Sequence, residues 1–151
     1  MKTLRRSLIV WTVVLGAVAL AADNKPNFSG TWELNVSKSD LAGAPITKLV
    51  VQVEHKDPVL KYTATGTAGG EDFTEVETIS TDGTPTTDSR GAQVKAHWDG
   101  ETLVIESTGD QGRALDATRL ALAKDGKTMT RDYERKSADD AQKRHEIYDK
   151  H

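Results

Sequence analysis

The chain has 151 residues, a formal charge of −3, 36% apolar residues, 5% aromatic residues and no cysteine. The absence of cysteine excludes disulfides, a thiolate nucleophile, thiolate metal ligands and a lipidated N-terminal cysteine. This length favours a single domain, and about 130 residues can bury enough surface to fold without cross-links.

The N-terminal segment is typical of a secretory signal peptide. A short basic region precedes an almost purely apolar run over residues 8–20, and Ala19-Leu20-Ala21 provides a small-x-small cleavage site. The run is shorter than the ~20 residues that span a bilayer. We therefore expect a leader over residues 1–21 and a domain over residues 22–151, periplasmic or secreted, with no stable membrane insertion after cleavage.

Cleavage would also change the charge of the chain. Loss of Lys2, Arg5 and Arg6 takes the Lys plus Arg count from 20 to 17, against 23 Asp plus Glu, which gives a formal charge of −6. An acidic surface repels phosphate backbones and anionic lipid headgroups. We therefore expect no nucleic-acid partner.

Turn signals recur at short intervals along the mature chain. They are Asp57-Pro58, Gly69-Gly70, Asp82-Gly83, Arg90-Gly91, Asp99-Gly100, Asp110-Gln111-Gly112 and Asp125-Gly126. Glycine after aspartate provides the positive-φ positions of tight hairpin turns. Many short strands with turns about every 8–12 residues are typical of a β-sandwich or a β-barrel.

Between these turns, apolar and polar residues alternate, as strands with one buried face require. In chain order the predicted strands cover residues 31–36, 46–55, 59–65, 72–81, 84–89, 92–98, 101–107, 113–123, 127–136 and 143–150. In the last segment, Ser137 followed by Asp139 and Asp140 could instead cap a helix through Tyr148. We favour the strand, because too few apolar residues follow to give a helix a buried stripe.

Nine or ten strands joined by short turns predict an all-β fold, a single antiparallel up-and-down β-barrel of about eight to ten strands. An open sheet of that size would curl or split, whereas closure removes its exposed edges. Such a barrel encloses space for side chains or for one small ligand. A two-sheet β-sandwich is the alternative, because the pattern does not report closure.

The first strand carries Phe28-Ser29-Gly30-Thr31-Trp32, and its Gly-x-Trp resembles the mark of lipocalin-like, or calycin-type, β-barrels. A wider resemblance is to uncharacterised small secreted bacterial proteins common in Acidobacteria. The segments that carry it are residues 28–39, 55–58, 81–83, 98–105 and 124–128. This second resemblance spans nearly the whole mature chain.

The lipocalin resemblance implies that Gly30 and Trp32 form a structural plug at one end of the barrel, with a basic residue stacked on the tryptophan. The candidates for that residue are Arg131, Arg135 and Arg144. Arg131 is favoured because it shares a strand face with Met129 and Tyr133, and the contact would contribute ~0.5–2 kcal/mol. The chain lacks the cysteines of lipocalins and the helical lid of fatty-acid-binding proteins, which argues against lipid transport.

Inward-facing aromatic and apolar residues are the candidate ligand-binding residues: Tyr62, Trp98, Leu103, Ile105 and Tyr133. Ligand pockets are lined mostly by such side chains, with few polar anchors. The leading hypothesis is an exported, non-catalytic barrel that binds a small, largely apolar molecule in its interior. It needs no cofactor, and no oligomeric state is assigned.

The residues that carry chemistry predict no catalytic or metal site. The four histidines are His55, His97, His145 and His151, and none are spaced as close zinc ligands. Glu75 and Glu77 lie about 7 Å apart on one strand face, but a solvated polar face is the favoured interpretation. The alternatives to ligand binding are an interaction or structural module of the cell envelope with a filled barrel and, less favoured, an enzyme that uses Arg131 or the strand-borne acids.

Overall fold

The computed structural model describes residues 25–136 and 139–151, so the predicted leader lies outside the described residues. Two single-turn 3-10 helices, Val36–Lys38 and Asp110–Gly112, interrupt an otherwise all-β chain. The strands are β1 (Gly30–Leu34), β2 (Ile46–Lys56), β3 (Val59–Ala68), β4 (Glu71–Ser80), β5 (Thr86–Thr87), β6 (Gln93–Asp99), β7 (Thr102–Thr108), β8 (Ala114–Leu122), β9 (Thr128–Arg135) and β10 (Gln142–Lys150).

The ten strands form one antiparallel sheet in the order β4-β3-β2-β1-β10-β9-β8-β7-β6-β5. The first and last strands pair, with Trp32 opposite Lys150, which joins the two halves of the chain. The sheet ends meet where β4 lies beside β5 and β6, and across this seam the Ser89 N–H donates to the Glu77 carboxylate at 2.9 Å. The fold is therefore a nearly closed β-barrel, which confirms the barrel prediction over the sandwich.

Alternation along the strands separates the core from the surface. On β2, Leu49 and Val53 are buried while Lys48 and Gln52 are exposed. One end of the barrel, which we call the closed end, consists of Phe28, Trp32, His55, Trp98 and Leu103. Phe28, Trp32 and Leu103 are completely buried there. Since these side chains exclude water from a large apolar area, the closed end supplies much of the hydrophobic stabilisation.

The final segment is a strand, as favoured from the sequence: β10 pairs with both β1 and β9, and Tyr148 is buried. The proposed capping residue of the alternative helix, Ser137, lies outside the described residues. The first strand is shorter than predicted. It ends at Leu34 because the Asn35 side chain accepts the Lys38 N–H at 3.2 Å and begins a 3-10 turn. Among the described residues, no helix is long and apolar enough to cross a bilayer.

The interpretation of the β4 acids as a solvated face is wrong for Glu77, which is only 8% exposed. Glu77 points into the barrel, whereas Val76 beside it faces outward and is 52% exposed. Glu75 also lines the cavity but is exposed to solvent, as predicted. Phe73 and the pairing of β4 with β3 decide which residues of β4 face inward. This register overrides the polarity of the individual residues.

Candidate functional site

The barrel interior contains a cavity of about 400 Å³. This volume falls within the ~300–1,000 Å³ typical of small-molecule sites. Apolar side chains from several strands line it, among them Leu49, Val53, Leu60, Val94, Ile105 and Leu120. Because each of these lies on the inward face of a paired strand, the backbone of the barrel fixes the shape of the cavity.

Three of the five predicted ligand-binding residues, Tyr62, Ile105 and Tyr133, line this cavity. The other two do not. Leu103 is completely buried in the core, and Trp98 lies at the closed end, with its ring centroid 6.0 Å from that of Phe28. Both flank the β6–β7 turn, where they pair with each other. Alternation correctly assigned the face of each residue, but it does not report depth along the barrel axis.

The predicted plug residue Trp32 is fully buried, and its indole N–H donates to the Phe28 carbonyl at 2.8 Å. The cation over its ring is Lys150, whose Nζ lies 5.1 Å from the ring centroid. Gly30 has φ +140°, and an added Cβ would lie 2.6 Å from the Lys150 side chain, so glycine permits this close approach. The expected contact from Arg131 is thus corrected: Lys150 is the cross-strand neighbour of Trp32, while Arg131 pairs with Glu146.

Two arginines and a buried carboxylate form one wall of the cavity, which we call the arginine wall. Glu146 is completely buried, and its Oε2 accepts hydrogen bonds from Arg131 Nη1 at 2.9 Å and from Tyr148 Oη at 2.7 Å. Arg144 Nε lies 3.4 Å from Glu146 Oε1. Both guanidinium groups lie over the ring of Tyr133, with their carbons 5.0 Å and 4.3 Å from the ring centroid.

This arrangement keeps Glu146 ionised. Burial by itself would raise the pKa of Glu146, but the charge of Arg131 and the hydrogen bonds from Tyr148 and Arg131 outweigh it, so the pKa is lowered. Burial and the charge of Glu146 raise the pKa of the Tyr148 hydroxyl, which therefore remains a donor. Oε2 of Glu146 is therefore fully partnered, whereas Glu146 Oε1 and Arg144 Nε face each other at 3.4 Å and have no hydrogen-bond partner among the described residues.

A second cluster lies near the seam, where Arg90 bridges two aspartates. Its Nη2 lies 2.6 Å from Asp88 Oδ2 and its Nη1 lies 3.0 Å from Asp116 Oδ2. Burial acts to raise the pKa of Asp88, but hydrogen bonds from the Arg90 side chain and from the Ala92 and Arg90 backbone N–H groups lower it overall. Arg90 therefore forms ion pairs with both of these carboxylates.

The third polar region, the acid wall, consists of Glu75 and Glu77 on β4 together with Tyr62 and Phe73. Tyr62 pairs with Glu77 across β3 and β4, and burial together with the charge of Glu75 raises the pKa of its hydroxyl. Phe73 pairs with Gly66, where an added Cβ would lie 3.1 Å from the phenyl ring and would clash with the Lys48 carbonyl oxygen. A glycine at this position therefore lets the ring approach β3 closely.

Most of the charged lining was not predicted from the sequence. A usable signal was present on β10, where Arg144, Glu146 and Tyr148 occupy alternate positions and therefore share one face. The Arg90 cluster had no comparable signal, because the segment from Asp88 to Ala92 is a turn whose orientation depends on the closure of the barrel. Within the described ranges, no group of three or more His, Asp or Glu side chains is arranged to hold a metal ion.

No protein-family model matches the chain, and no curated protein matches it. Its class therefore follows from the structure: an antiparallel, nearly closed ten-stranded β-barrel with an internal cavity that is apolar in part and charged in part. This architecture is compatible with a lipocalin-like barrel.

Proposed function

We propose that the chain is an exported, non-catalytic β-barrel of lipocalin-like type that binds a small, largely apolar molecule in its interior. The observation that supports this proposal is the cavity of about 400 Å³ with its apolar lining. A filled barrel acting only as an interaction module would not need such a space. Burial of ligand surface would contribute ~25 cal/mol per Å² before the cost of association is subtracted.

The state of the charged side chains favours binding over catalysis. Glu146 is held ionised by Arg131 and Tyr148, and Arg90 holds the two seam aspartates. General acid–base catalysis needs a group with a pKa near the working pH and within reach of substrate. These internal ion pairs instead provide fixed polar points that can orient one end of a ligand whose remainder is apolar.

The ligand site is tested by filling the cavity. Ala64 is 7% exposed and lines the cavity, whereas its neighbour Thr65 points outward. We expect the wild-type protein and Thr65→Trp to bind the neutral probe N-phenyl-1-naphthylamine saturably, and Ala64→Trp to lose at least tenfold in affinity. Far-UV circular dichroism and thermal melts verify that all three are folded. A folded wild-type protein with no saturable uptake across neutral, cationic and anionic ligands would overturn the proposal.

The export part of the proposal depends on residues 1–21. Expression of the full chain in a Gram-negative host should yield mature protein in the periplasmic fraction, with an N-terminus at residue 22. A variant in which Lys2, Arg5 and Arg6 are replaced by Glu is the control and should remain in the cytoplasm with its leader uncleaved. An uncleaved wild-type protein retained with the membranes would contradict export as a mature domain.

A further inference from the structure

The ionic groups that line the cavity are unequal in number. Five carboxylates face it, from Glu75, Glu77, Asp88, Asp116 and Glu146, against three guanidinium groups, from Arg90, Arg131 and Arg144. Arg90 bridges Asp88 and Asp116, and Arg131 bonds Glu146. Arg144 shares that same carboxylate at 3.4 Å, and its Nε has no hydrogen-bond partner among the described residues. The two carboxylates outside these clusters are both on the acid wall.

The acid wall has unused acceptor capacity. Glu77 is more than nine-tenths buried, and its Oε1 accepts the Ser89 N–H at 2.9 Å. Its second oxygen, Oε2, has no donor among the described residues, although the side chain lines the cavity. Glu75 lines the cavity from an exposed position, and within the same residues neither glutamate forms an ion pair. A buried carboxylate without a cation carries an uncompensated desolvation cost, which a positively charged ligand would remove.

Aromatic rings complete this wall. Tyr62 lies directly across from Glu77 in the β3–β4 pairing. Phe73 precedes Glu75 by two residues on β4 and therefore lies on the same face of the strand. Tyrosine and phenylalanine rings attract cations through their negative faces. Carboxylates flanked by aromatic rings therefore match an ammonium group that bears an apolar substituent, which can continue into the Leu- and Val-lined part of the cavity.

The arginine wall faces the acid wall across the barrel. In the closed strand order, β9 lies five strands from β4 in either direction. The arginine wall carries two guanidinium groups and one carboxylate, so a field runs across the cavity with its negative side at β4. That field directs a cation towards Glu75 and Glu77.

We infer that the ligand of this barrel carries a cationic group, an ammonium attached to an apolar body, which is held by Glu75, Glu77 and the rings of Tyr62 and Phe73. The inference rests on the proposed binding function and specifies its ligand class. Glu77 thus has two tasks, because one oxygen caps the seam at Ser89 while the other faces the ligand.

The test compares three ligands with the same chain, octylammonium, octanoate and octan-1-ol, by isothermal titration calorimetry at pH 7. The wild-type protein should bind octylammonium at least tenfold more tightly than octanoate, a difference of about 1.4 kcal/mol. In Glu75→Gln/Glu77→Gln this preference should vanish while octan-1-ol affinity stays within twofold. Glutamine at position 77 keeps an oxygen that can accept the Ser89 N–H, so the seam is preserved.

Two further variants sharpen the result. Glu54→Gln/Glu101→Gln removes the same charge from exposed positions outside the cavity and should keep the full preference. Glu75→Gln alone makes no change at the seam, and it should reduce the preference for octylammonium over octanoate by about threefold. Tighter binding of octanoate, or a preference that survives in Glu75→Gln/Glu77→Gln, would overturn the inference while leaving interior binding intact. Failure of all three ligands to bind folded protein would overturn both proposals.

Discussion

The two ends of the barrel use their interior differently. At the closed end, Trp32, Phe28 and Leu103 are completely buried, and Trp32 satisfies its one polar hydrogen within the same cluster. Towards the other end, charged side chains such as Glu146 and Arg144 enclose an open cavity. Large apolar side chains excluded from water stabilise a fold, whereas buried charges at best repay their own desolvation.

This contrast separates stability from function. A barrel selected only for stability would extend the packing of the closed end through its whole length. Here the inward positions of β4, β9 and β10 carry ionic groups, and an unfilled volume remains between them. Under the proposed function, these charged groups are the part of the interior that sets specificity for the ligand.

The largest effect is expected from removal of the closed-end tryptophan. Trp32→Ala should lower the free energy of unfolding by ~3–5 kcal/mol, as deletions of large aromatic side chains from cores do. Urea titration followed by circular dichroism measures the loss. Val76→Ala, at an exposed position, is the matched control. A fully stable Trp32→Ala that no longer takes up ligand would show that the tryptophan serves binding instead.

A somewhat smaller loss is expected at the arginine wall. Glu146→Leu would leave Arg131 without its buried carboxylate, and removal of one partner from such a pair costs about 3 kcal/mol. The side chain of Arg131 is 29% exposed, so the lower end of the usual range applies. The double variant Arg131→Leu/Glu146→Leu should recover part of this loss, since only Arg144 is then left without the carboxylate. Additive losses in the double variant would mean that the pair is not coupled.

The two ends also differ in how far the sequence predicts them. Turn signals such as Asp99-Gly100 and the alternation on β2 were sufficient for strand number, antiparallel order and the buried position of Trp32. These features are local, or follow from a period of two that any paired strand must respect. For the closed end, the sequence therefore predicts which face each residue lies on but not its depth along the barrel, since Trp98 and Leu103 were expected to line the ligand site.

The charged cavity is less readable because it depends on register between strands that are distant in the chain. Lys150 meets Trp32, and Arg131 meets Glu146, only because β10 returns to pair with both β1 and β9. Glu77 faces inward because β4 keeps register with β3, against the preference of its own side chain for water. Alternation assigns a face, but long-range pairing decides which inward residues become neighbours.

The arginine wall also predicts a pH dependence. The pKa of Glu146 lies below its ordinary value of 4.5 in the folded protein, so above that value the ionised carboxylate stabilises the fold. Stability should therefore fall as the pH drops from about 4.5 through the lowered pKa, where the unfolded chain binds the proton first. Urea midpoints between pH 7 and pH 3 measure this, and Arg131→Leu/Glu146→Leu should show a shallower decline. An equal decline in both proteins would assign the acid sensitivity to other carboxylates such as Asp88.

The smallest effect concerns the cation over Trp32. Lys150 lies 5.1 Å above the ring at an exposed position, so Lys150→Ala should cost only ~0.5–1 kcal/mol. A double-mutant cycle with Trp32→Phe isolates the interaction, because phenylalanine keeps an apolar ring but binds cations less well. Arg131→Ala should show no coupling to Trp32 in the same cycle, since Arg131 lies over Tyr133 instead. Coupling of Trp32 to Arg131 rather than to Lys150 would restore the contact expected from the lipocalin resemblance and contradict the register of β1 with β10.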